Sequence, residues 1–162
     1  MNEVTYGDGL YVAVGYSGKL TTSPEGTTWT TRTSGFGTTG IYVVTYGDGL
    51  FVAVGRDGKL TTSTDGTTWT SRTSGFGSTN IRGVTYGDGL YVAVGDDGTL
   101  TTSTDGITWT TRTSGFGSNG INGVTHGDGR YVAVGESGTL TTSPDGTGYL
   151  SLELKTPVTT LS

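Results

Sequence analysis

The sequence predicts an all-β protein built from four tandem units, and three observations lead to this prediction. Glycine and threonine supply 31 and 36 of the 162 residues, a composition that suits turns and strands and disfavours helices. A pattern of about 40 residues recurs four times along the chain. Glycine-containing turns divide each copy into runs of five or six residues, which is the usual length of a strand.

The repeat is most visible in the segment VTYGDGL. It occupies residues 4–10, returns at 44–50 and 84–90, and appears as VTHGDGR at 124–130. Residues 41–80 and 81–120 are identical at 31 of 40 positions. We therefore expect one repeat domain over residues 1–162, with units at about 1–40, 41–80, 81–120 and 121–156 and a C-terminal tail at 157–162. A period near 40 is typical of propellers and solenoids.

The third unit shows the elements that every unit shares. The spacing predicts four strands, at residues 81–86, 90–95, 99–103 and 108–113. The turns between them are an Asp-Gly hairpin pair at 88–89, a second turn at 96–98 and a third at 105–106, and a longer connection follows at 114–120. Consecutive strands joined by short turns make each unit an antiparallel meander.

The apolar pattern of the second and fourth predicted strands differs. The second strand is apolar on both faces, because Leu90, Val92 and Val94 alternate with Tyr91 and Ala93. Such a strand needs a neighbouring sheet on each side. The fourth strand has only Trp109 as a strongly apolar residue, which is typical of an exposed edge. Apolar character that declines outward predicts a β-propeller of four-stranded antiparallel blades, four 40-residue blades per chain. A β-solenoid is the alternative architecture.

Composition and charge exclude several classes of function. The net charge is −5, and the 9 basic residues are dispersed, so we expect no nucleic-acid partner. The chain has no cysteine and one histidine, so we expect no metal site and no cofactor. Apolar runs reach only five residues, which predicts no membrane span and no secretion signal. We therefore expect no membrane partner and a cytoplasmic or virion-associated location.

The turn between the third and fourth strands carries a motif in every unit. Residues 103–109 read Ser-Thr-Asp-Gly-Ile-Thr-Trp, which resembles the Asp-box of sialidase-like (BNR) β-propellers, although one residue shorter between the acid and the tryptophan. The resemblance implies a folding role, in which the carboxylate caps its own turn and the aromatic ring packs between blades. The residues concerned are Ser23, Glu25, Trp29, Ser63, Asp65, Trp69, Ser103, Asp105, Trp109, Ser143, Asp145 and Tyr149.

The resemblance does not extend to catalysis. Sialidases of this fold hold a substrate carboxylate with three converging arginines. Arg32, Arg72 and Arg112 occupy the same place in successive units, so symmetry distributes them around the rim. No paired carboxylates and no nucleophile with a neighbouring base stand out. We therefore expect a non-enzymatic protein with no catalytic residue.

The two ends of the predicted blades differ in how much the copies vary. The hairpin and Asp-box turns share one end and are nearly constant, whereas the second turn and the long connection share the other end and vary. The variable residues that we name as candidate ligand contacts are Tyr16, Tyr42, Arg56, Arg82, Asp96, Asn119, Asn122 and Glu136. Loops on a rigid scaffold are frequent recognition sites, and unconstrained drift of exposed loops is the other explanation of the variation. We expect lectin-like binding of glycans through the repeated loops on this face, where several weak sites would act together.

The alternative function is structural. The chain would then be an assembly component, for example of a phage or a cell surface, or a designed or recently amplified repeat protein that forms propeller rings. Near-identical units allow unit four of one chain to pack on unit one of another, so we expect a homo-oligomer, with two chains forming an eight-bladed ring. A four-bladed monomer is the alternative.

The last predicted strand departs from the repeat. It carries Leu150, Leu152 and Leu154 where the third unit has Thr110, Arg112 and Ser114. Each leucine contributes roughly 1.5 to 3 kcal/mol when it is covered. We name these leucines as candidate oligomer contacts, covered by a subunit, another ring or the tail after Pro157.

Overall fold

The computed structural model describes residues 1–148 and 150–152, and in them the chain forms four antiparallel four-stranded sheets. The first sheet comprises β1 Glu3–Gly7, β2 Leu10–Val14, β3 Leu20–Ser23 and β4 Thr30–Arg32. The second comprises β5 Ile41–Gly47, β6 Leu50–Gly55, β7 Leu60–Ser63 and β8 Thr70–Arg72. The third comprises β9 Ile81–Gly87, β10 Leu90–Gly95, β11 Leu100–Ser103 and β12 Thr110–Arg112. The fourth comprises β13 Ile121–Gly127, β14 Arg130–Gly135, β15 Leu140–Ser143 and β16 Leu150–Leu152.

Strand order within each sheet follows the chain, which confirms the predicted all-β fold with four meander blades. The first two strands of a sheet are joined by a two-residue turn, as between Gly87 and Leu90. Asp88 and Gly89 in this turn have φ values of 44° and 80°. Positive φ at both central residues defines the type I′ turn, whose twist matches that of the flanking strands. The Asp-Gly signal therefore determines the register of each hairpin.

The structure shifts the boundaries of three of the four predicted strands. The first strand of the third unit extends to Gly87, the third begins at Leu100, and the fourth is only Thr110–Arg112. The third strand starts late because a 3₁₀ turn occupies Asp96–Gly98, closed by a hydrogen bond from the Thr99 N–H to the Asp96 carbonyl. The fourth strand is short because the acidic turn before it uses residues as far as Trp109.

The four sheets pack side by side through their first strands, with β1 against β5, β5 against β9, and β9 against β13. At each junction, aliphatic side chains from the second and third strands of one sheet pack against side chains from the first and second strands of the next sheet. Between the second and third sheets the buried side chains are Leu50, Val52, Val54, Leu60, Phe76, Ile81, Val84, Tyr91 and Ala93. The core therefore lies between the sheets, as the apolar pattern on both faces of the second strand predicts.

The connections between blades also enter the core, which the sequence did not predict. Phe36, Phe76 and Phe116 lie in these connections, and each is almost fully buried. Ser74 holds its connection in place, because its hydroxyl donates a hydrogen bond of 2.7 Å to the Gly58 carbonyl and accepts one from the Phe76 N–H. A glycine-rich segment that resembles a surface loop thus anchors each junction.

Two tyrosines of the second strands link adjacent sheets. The hydroxyl of Tyr91 donates a hydrogen bond to the carbonyl of Gly47, and that of Tyr131 donates one to the carbonyl of Gly87. Burial raises the pKa of Tyr131 to about 12 and also raises the pKa of Tyr91. Both phenols therefore stay protonated, as donors to these carbonyls must be.

Part of the predicted last strand lies outside the described residues. Tyr149, Leu154 and the tail at 157–162 belong to that part. Leu150 and Leu152 are described as strand backbone, paired with Thr142 and Leu140 of β15. Within the described residues, no helix has the length and apolar character needed to cross a bilayer.

Candidate functional site

The acidic turn between the third and fourth strands is capped by its own carboxylate. In the second sheet, Asp65 Oδ1 accepts hydrogen bonds from the N–H groups of Thr67 and Thr68, at 2.7 and 2.8 Å, and from the Ser63 hydroxyl. The indole N–H of Trp69 donates to the Gly66 carbonyl at 2.9 Å. Asp105 makes the same contacts in the third sheet. Oδ1 of each of these carboxylates is thus engaged within its own turn.

The capping hydrogen bonds stabilise the ionised form of these carboxylates. Bonds from backbone N–H groups, chiefly that of Thr68, lower the pKa of Asp65 to about 2 from its ordinary 3.8. The pKa of Asp145 is lowered to about 2 by its bond from the Thr147 N–H. A pKa that is lower in the folded state gives a stabilising contribution that is present above the unfolded pKa and is lost as the pH falls.

We expect the protein to lose stability between about pH 4 and pH 2, and the Asp65→Asn variant to lose less over this range. Asparagine keeps an oxygen that can accept the capping bonds but cannot titrate. Urea unfolding of both proteins at pH 5, 3.5 and 2 measures the two slopes. Equal slopes would show that the ionisation of Asp65 is not coupled to folding.

The second turn and the long connection lie at the same end of the blades. In the second sheet, Gly58 belongs to the second turn, and Gly77 and Thr79 belong to the long connection. A Cβ placed on Gly58 would lie 3.3 Å from the carbonyl oxygen of Thr79 and would overlap the carbonyl oxygen of Gly77. The corresponding glycine of the third sheet, Gly98, makes the same approach to Gly117 and Asn119. All the candidate ligand residues lie at or beside these loops.

Four of the candidate residues follow one another across the first three sheets, and we call them the loop-face row: Tyr16, Tyr42, Arg82 and Asp96. Arg82 donates two hydrogen bonds to Asp96, at 2.7 Å from Nε and 3.2 Å from Nη2. Its guanidinium carbon lies 5.6 Å from the centre of the Tyr42 ring, within cation–π range. A Cβ placed on Gly40 would lie 3.4 Å from Tyr42 and 3.9 Å from Tyr16, so this glycine separates the two rings.

The charges of the loop-face row hold each other in position. The hydrogen bond from Arg82 lowers the pKa of Asp96, and the same bond raises the pKa of Arg82. Tyr16 has no comparable restraint among the described residues and is 70% exposed. The row therefore combines a fixed ion pair with an exposed aromatic ring.

Asn80 connects the ion pair to the preceding sheet, and the sequence analysis did not single it out. Its side-chain N–H donates to Asp96 Oδ2 at 2.8 Å, and its side-chain oxygen accepts from the Asp57 N–H at 3.1 Å. The available signal was that position 80 is asparagine where the equivalent Gly40 and Gly120 have no side chain.

The other candidate residues lie outside the loop-face row. Arg56 is exposed and lies 3.7 Å from Asp57. Glu136 is exposed, and its carboxylate accepts a hydrogen bond of 3.0 Å from the Gly120 N–H. Asn119 donates its backbone N–H to Phe116, and Asn122 is exposed on β13. In the described part of the chain, neither asparagine side chain makes a recorded hydrogen bond.

The rim arginines do not converge. Arg32, Arg72 and Arg112 each donate an Nε hydrogen bond to a threonine of their own sheet, at 2.9, 3.0 and 3.0 Å. One arginine thus lies on each of three separate sheets. Among the described residues there is no cluster of three or more metal-ligating side chains.

The blades and their packing define a β-propeller. The chain belongs to the DUF6242 beta propeller domain family, whose model matches residues 1–114. No curated protein matches the sequence of this chain.

Solved structures of low sequence identity share the fold. Virginiamycin B lyase from Staphylococcus aureus has a TM-score of 0.83 and 15% identity over 95% of this chain and 55% of that chain. YCF48 from Cyanidioschyzon merolae has a TM-score of 0.65 and 19% identity over 94% of this chain and 58% of that chain. The computationally designed Ika8 protein has a TM-score of 0.72 and 15% identity over 90% of this chain and 46% of that chain. The chain thus spans about half the length of these proteins.

Proposed function

We propose that this chain is a non-enzymatic recognition module that binds glycans at the loop-face row. The observation that carries the proposal is that Arg82 contacts both Asp96 and the Tyr42 ring, with the exposed Tyr16 on the other side of Gly40. A tyrosine ring offers an apolar face and a polar tip, and a sugar offers an apolar C–H face bordered by hydroxyl groups. The chemistry of the row therefore complements that of a glycan.

The row supplies both orientation and contact area. The Arg82 and Asp96 side chains are held by each other and by Asn80, so little conformational entropy is lost when they bind hydroxyl groups. The guanidinium retains further N–H donors beyond the two that bind Asp96, because arginine has five. Tyr16 provides an exposed ring beside this polar group.

The residues of the row come from three different repeats, and equivalent positions carry different residues: Tyr16 corresponds to Asp96, and Tyr42 to Arg82. We therefore propose one composite site, and not a set of equal sites repeated around the propeller. A single site predicts that each chain binds one glycan. It also predicts no increase in affinity from multivalent binding within one chain.

A glycan array followed by calorimetry on any glycan that binds tests the proposal. We expect the Tyr42→Ala, Arg82→Ala double variant to lose at least tenfold in affinity, because it removes one ring and half of the ion pair. Tyr16→Ala should also weaken binding. Arg112→Gln is the matched control, because Arg112 lies on the rim and its replacement should leave affinity unchanged.

Two results would contradict the proposal: no glycan bound by the wild-type protein, or full affinity in the double variant. Thermal melting of each variant separates loss of the site from loss of the fold. The second candidate function, a structural assembly unit, is favoured by large apolar side chains left exposed on the first sheet. The absence of glycan binding on the array, together with a mass in solution above 16.6 kDa, would support that candidate.

A further inference from the structure

The three internal junctions share one contact between a ring and a glycine. Tyr46 of the second sheet covers Gly7 of the first, Tyr86 covers Gly47, and the third junction repeats this with His126 over Gly87. A Cβ added to any of these three glycines would overlap the ring of the next sheet. Each of the first three sheets thus receives an aromatic side chain from the sheet that follows it in the chain.

The fourth sheet has the glycine of this contact, but no ring from the described part of the chain lies above it. A Cβ added to Gly127 would meet no described atom within 4 Å, and Gly127 is exposed, whereas Gly7, Gly47 and Gly87 are buried. At the other end of the chain, Tyr6 is the counterpart of Tyr46 and Tyr86 and is 58% exposed. Within the described residues, this contact is therefore incomplete at two places: Tyr6 covers no glycine, and Gly127 has no ring above it.

The first sheet leaves the rest of its junction face uncovered as well. Val4 is 56% exposed, whereas its counterpart Val44 is 3% exposed. Tyr11 and Trp29 are exposed on the same face, and beside Trp29 lies a groove of about 430 Å³ that Met1 also lines. Large exposed apolar patches mark interaction surfaces.

The fourth sheet presents the complementary face. Val134 is 45% exposed, whereas its counterparts Val14, Val54 and Val94 are fully buried. Val132 and Leu140 on this face are only half-buried, unlike the equivalent Val92 and Leu100. This is the kind of aliphatic surface that each internal junction places against the next sheet.

We propose that these two faces bind each other between two copies of this chain, so that the first sheet of one copy packs on the fourth sheet of the other. Tyr6 then covers Gly127, and the Tyr11 hydroxyl donates to the Gly127 carbonyl as Tyr91 does to Gly47. The contact continues the packing that already joins the sheets within the chain.

The two faces are also complementary in charge. Position 130 is arginine where the other repeats have Leu10, Leu50 and Leu90, and these leucines reach the acidic turn of the next sheet. At the proposed junction Arg130 reaches the turn of Glu25 and Gly26, the only one of the four acidic turns with glutamate. The guanidinium and the carboxylate thus lie at the same place on opposing faces.

Two chains close the assembly. A head-to-tail contact forms a ring when the rotation closes and a filament when it does not. Propellers typically have four to eight blades, and four blades per chain make eight for two copies. The second contact between the same two chains then covers the other first-sheet face and the other fourth-sheet face.

Light scattering and sedimentation over a range of concentrations test the proposal on the full chain. We expect a mass twice 16.6 kDa for the wild type. Gly127→Ala should raise the dissociation constant at least tenfold, because the added methyl group overlaps Tyr6 of the second copy. Gly148→Ala is the matched control, since its Cβ also meets nothing within 4 Å and it lies on the acidic turn.

Charge exchange provides a second test, independent of packing. Arg130→Glu should weaken the dimer at low salt, and adding Glu25→Lys to the same chain should restore it. A wild-type mass of 16.6 kDa at all concentrations would overturn the proposal. A dimer unaffected by Gly127→Ala would place the interface elsewhere, and a mass that keeps growing with concentration would overturn the two-chain ring. None of these variants alters the loop-face row. The glycan assay and the mass assay can therefore contradict the glycan proposal and the dimer proposal independently.

Discussion

Replacing Phe76 with alanine is expected to lower the free energy of unfolding by about 3–5 kcal/mol, the range for removing a buried phenylalanine. Phe76 is 4% exposed and packs in the core between the second and third sheets. The Phe76 carbonyl also accepts hydrogen bonds from the backbone and side chain of Thr79. The loss should be large because a cavity between two sheets cannot collapse without moving a whole blade.

Chemical denaturation by urea, followed by circular dichroism, measures this change. Ile107→Thr is the control, because Ile107 is also a large apolar residue but is 46% exposed. Threonine already occupies the equivalent positions 27, 67 and 147. We expect this control to change stability by less than about 0.5 kcal/mol. A Phe76→Ala variant as stable as the control would mean that the connection does not anchor the junction.

Gly95→Ala is expected to lower the free energy of unfolding by about 1–3 kcal/mol or more, the usual cost of overpacking. A Cβ at this position would overlap the Asn80 carbonyl oxygen and would lie 2.9 Å from the Phe76 ring. The Asn80 carbonyl also accepts the Asp96 N–H at 3.0 Å. Because the colliding atom belongs to the backbone, rotation of a side chain cannot relieve the overlap.

Replacing Gly148 with alanine should instead raise the free energy of unfolding. A Cβ there meets no described atom within 4 Å, so alanine reduces only the entropy of the unfolded chain and stabilises by about 0.4–1 kcal/mol. Thermal and urea unfolding of both variants compare the two positions directly. Similar stability changes at positions 95 and 148 would contradict the packing seen at Gly95.

The blades could be predicted from the sequence because their determinants are local. The Asp88-Gly89 pair requires positive φ at adjacent residues, which selects one hairpin turn and one register. Alternation of apolar residues on both faces of β10 requires a sheet on each side. Neither inference needs a contact between residues distant in the chain, and four repetitions reinforce both.

The candidate site could be predicted only in part. Variation between copies identified Tyr16, Tyr42, Arg82 and Asp96, but the same signal also selected Asn122, for whose side chain the structure records no hydrogen bond within its described residues. Asn80, whose side chain joins two sheets, also differs between copies but was not among the predicted contacts. Variation shows where side chains are free to differ, whereas a site depends on which of them meet across a junction.

By itself the sequence determined the strands, the turns, their order in each sheet and the end of the blades at which variable residues gather. These properties follow from backbone preferences and apolar alternation over a few residues, which any copy of the repeat contains. Only the tertiary structure decided that Phe76 is core, that Arg82 is held by Asp96 over the Tyr42 ring, and that Tyr6 is exposed while Tyr46 is partly buried. Tyr6 and Tyr46 occur in two copies of the same VTYGDGL segment, so their different exposure depends on whether another sheet packs against the tyrosine.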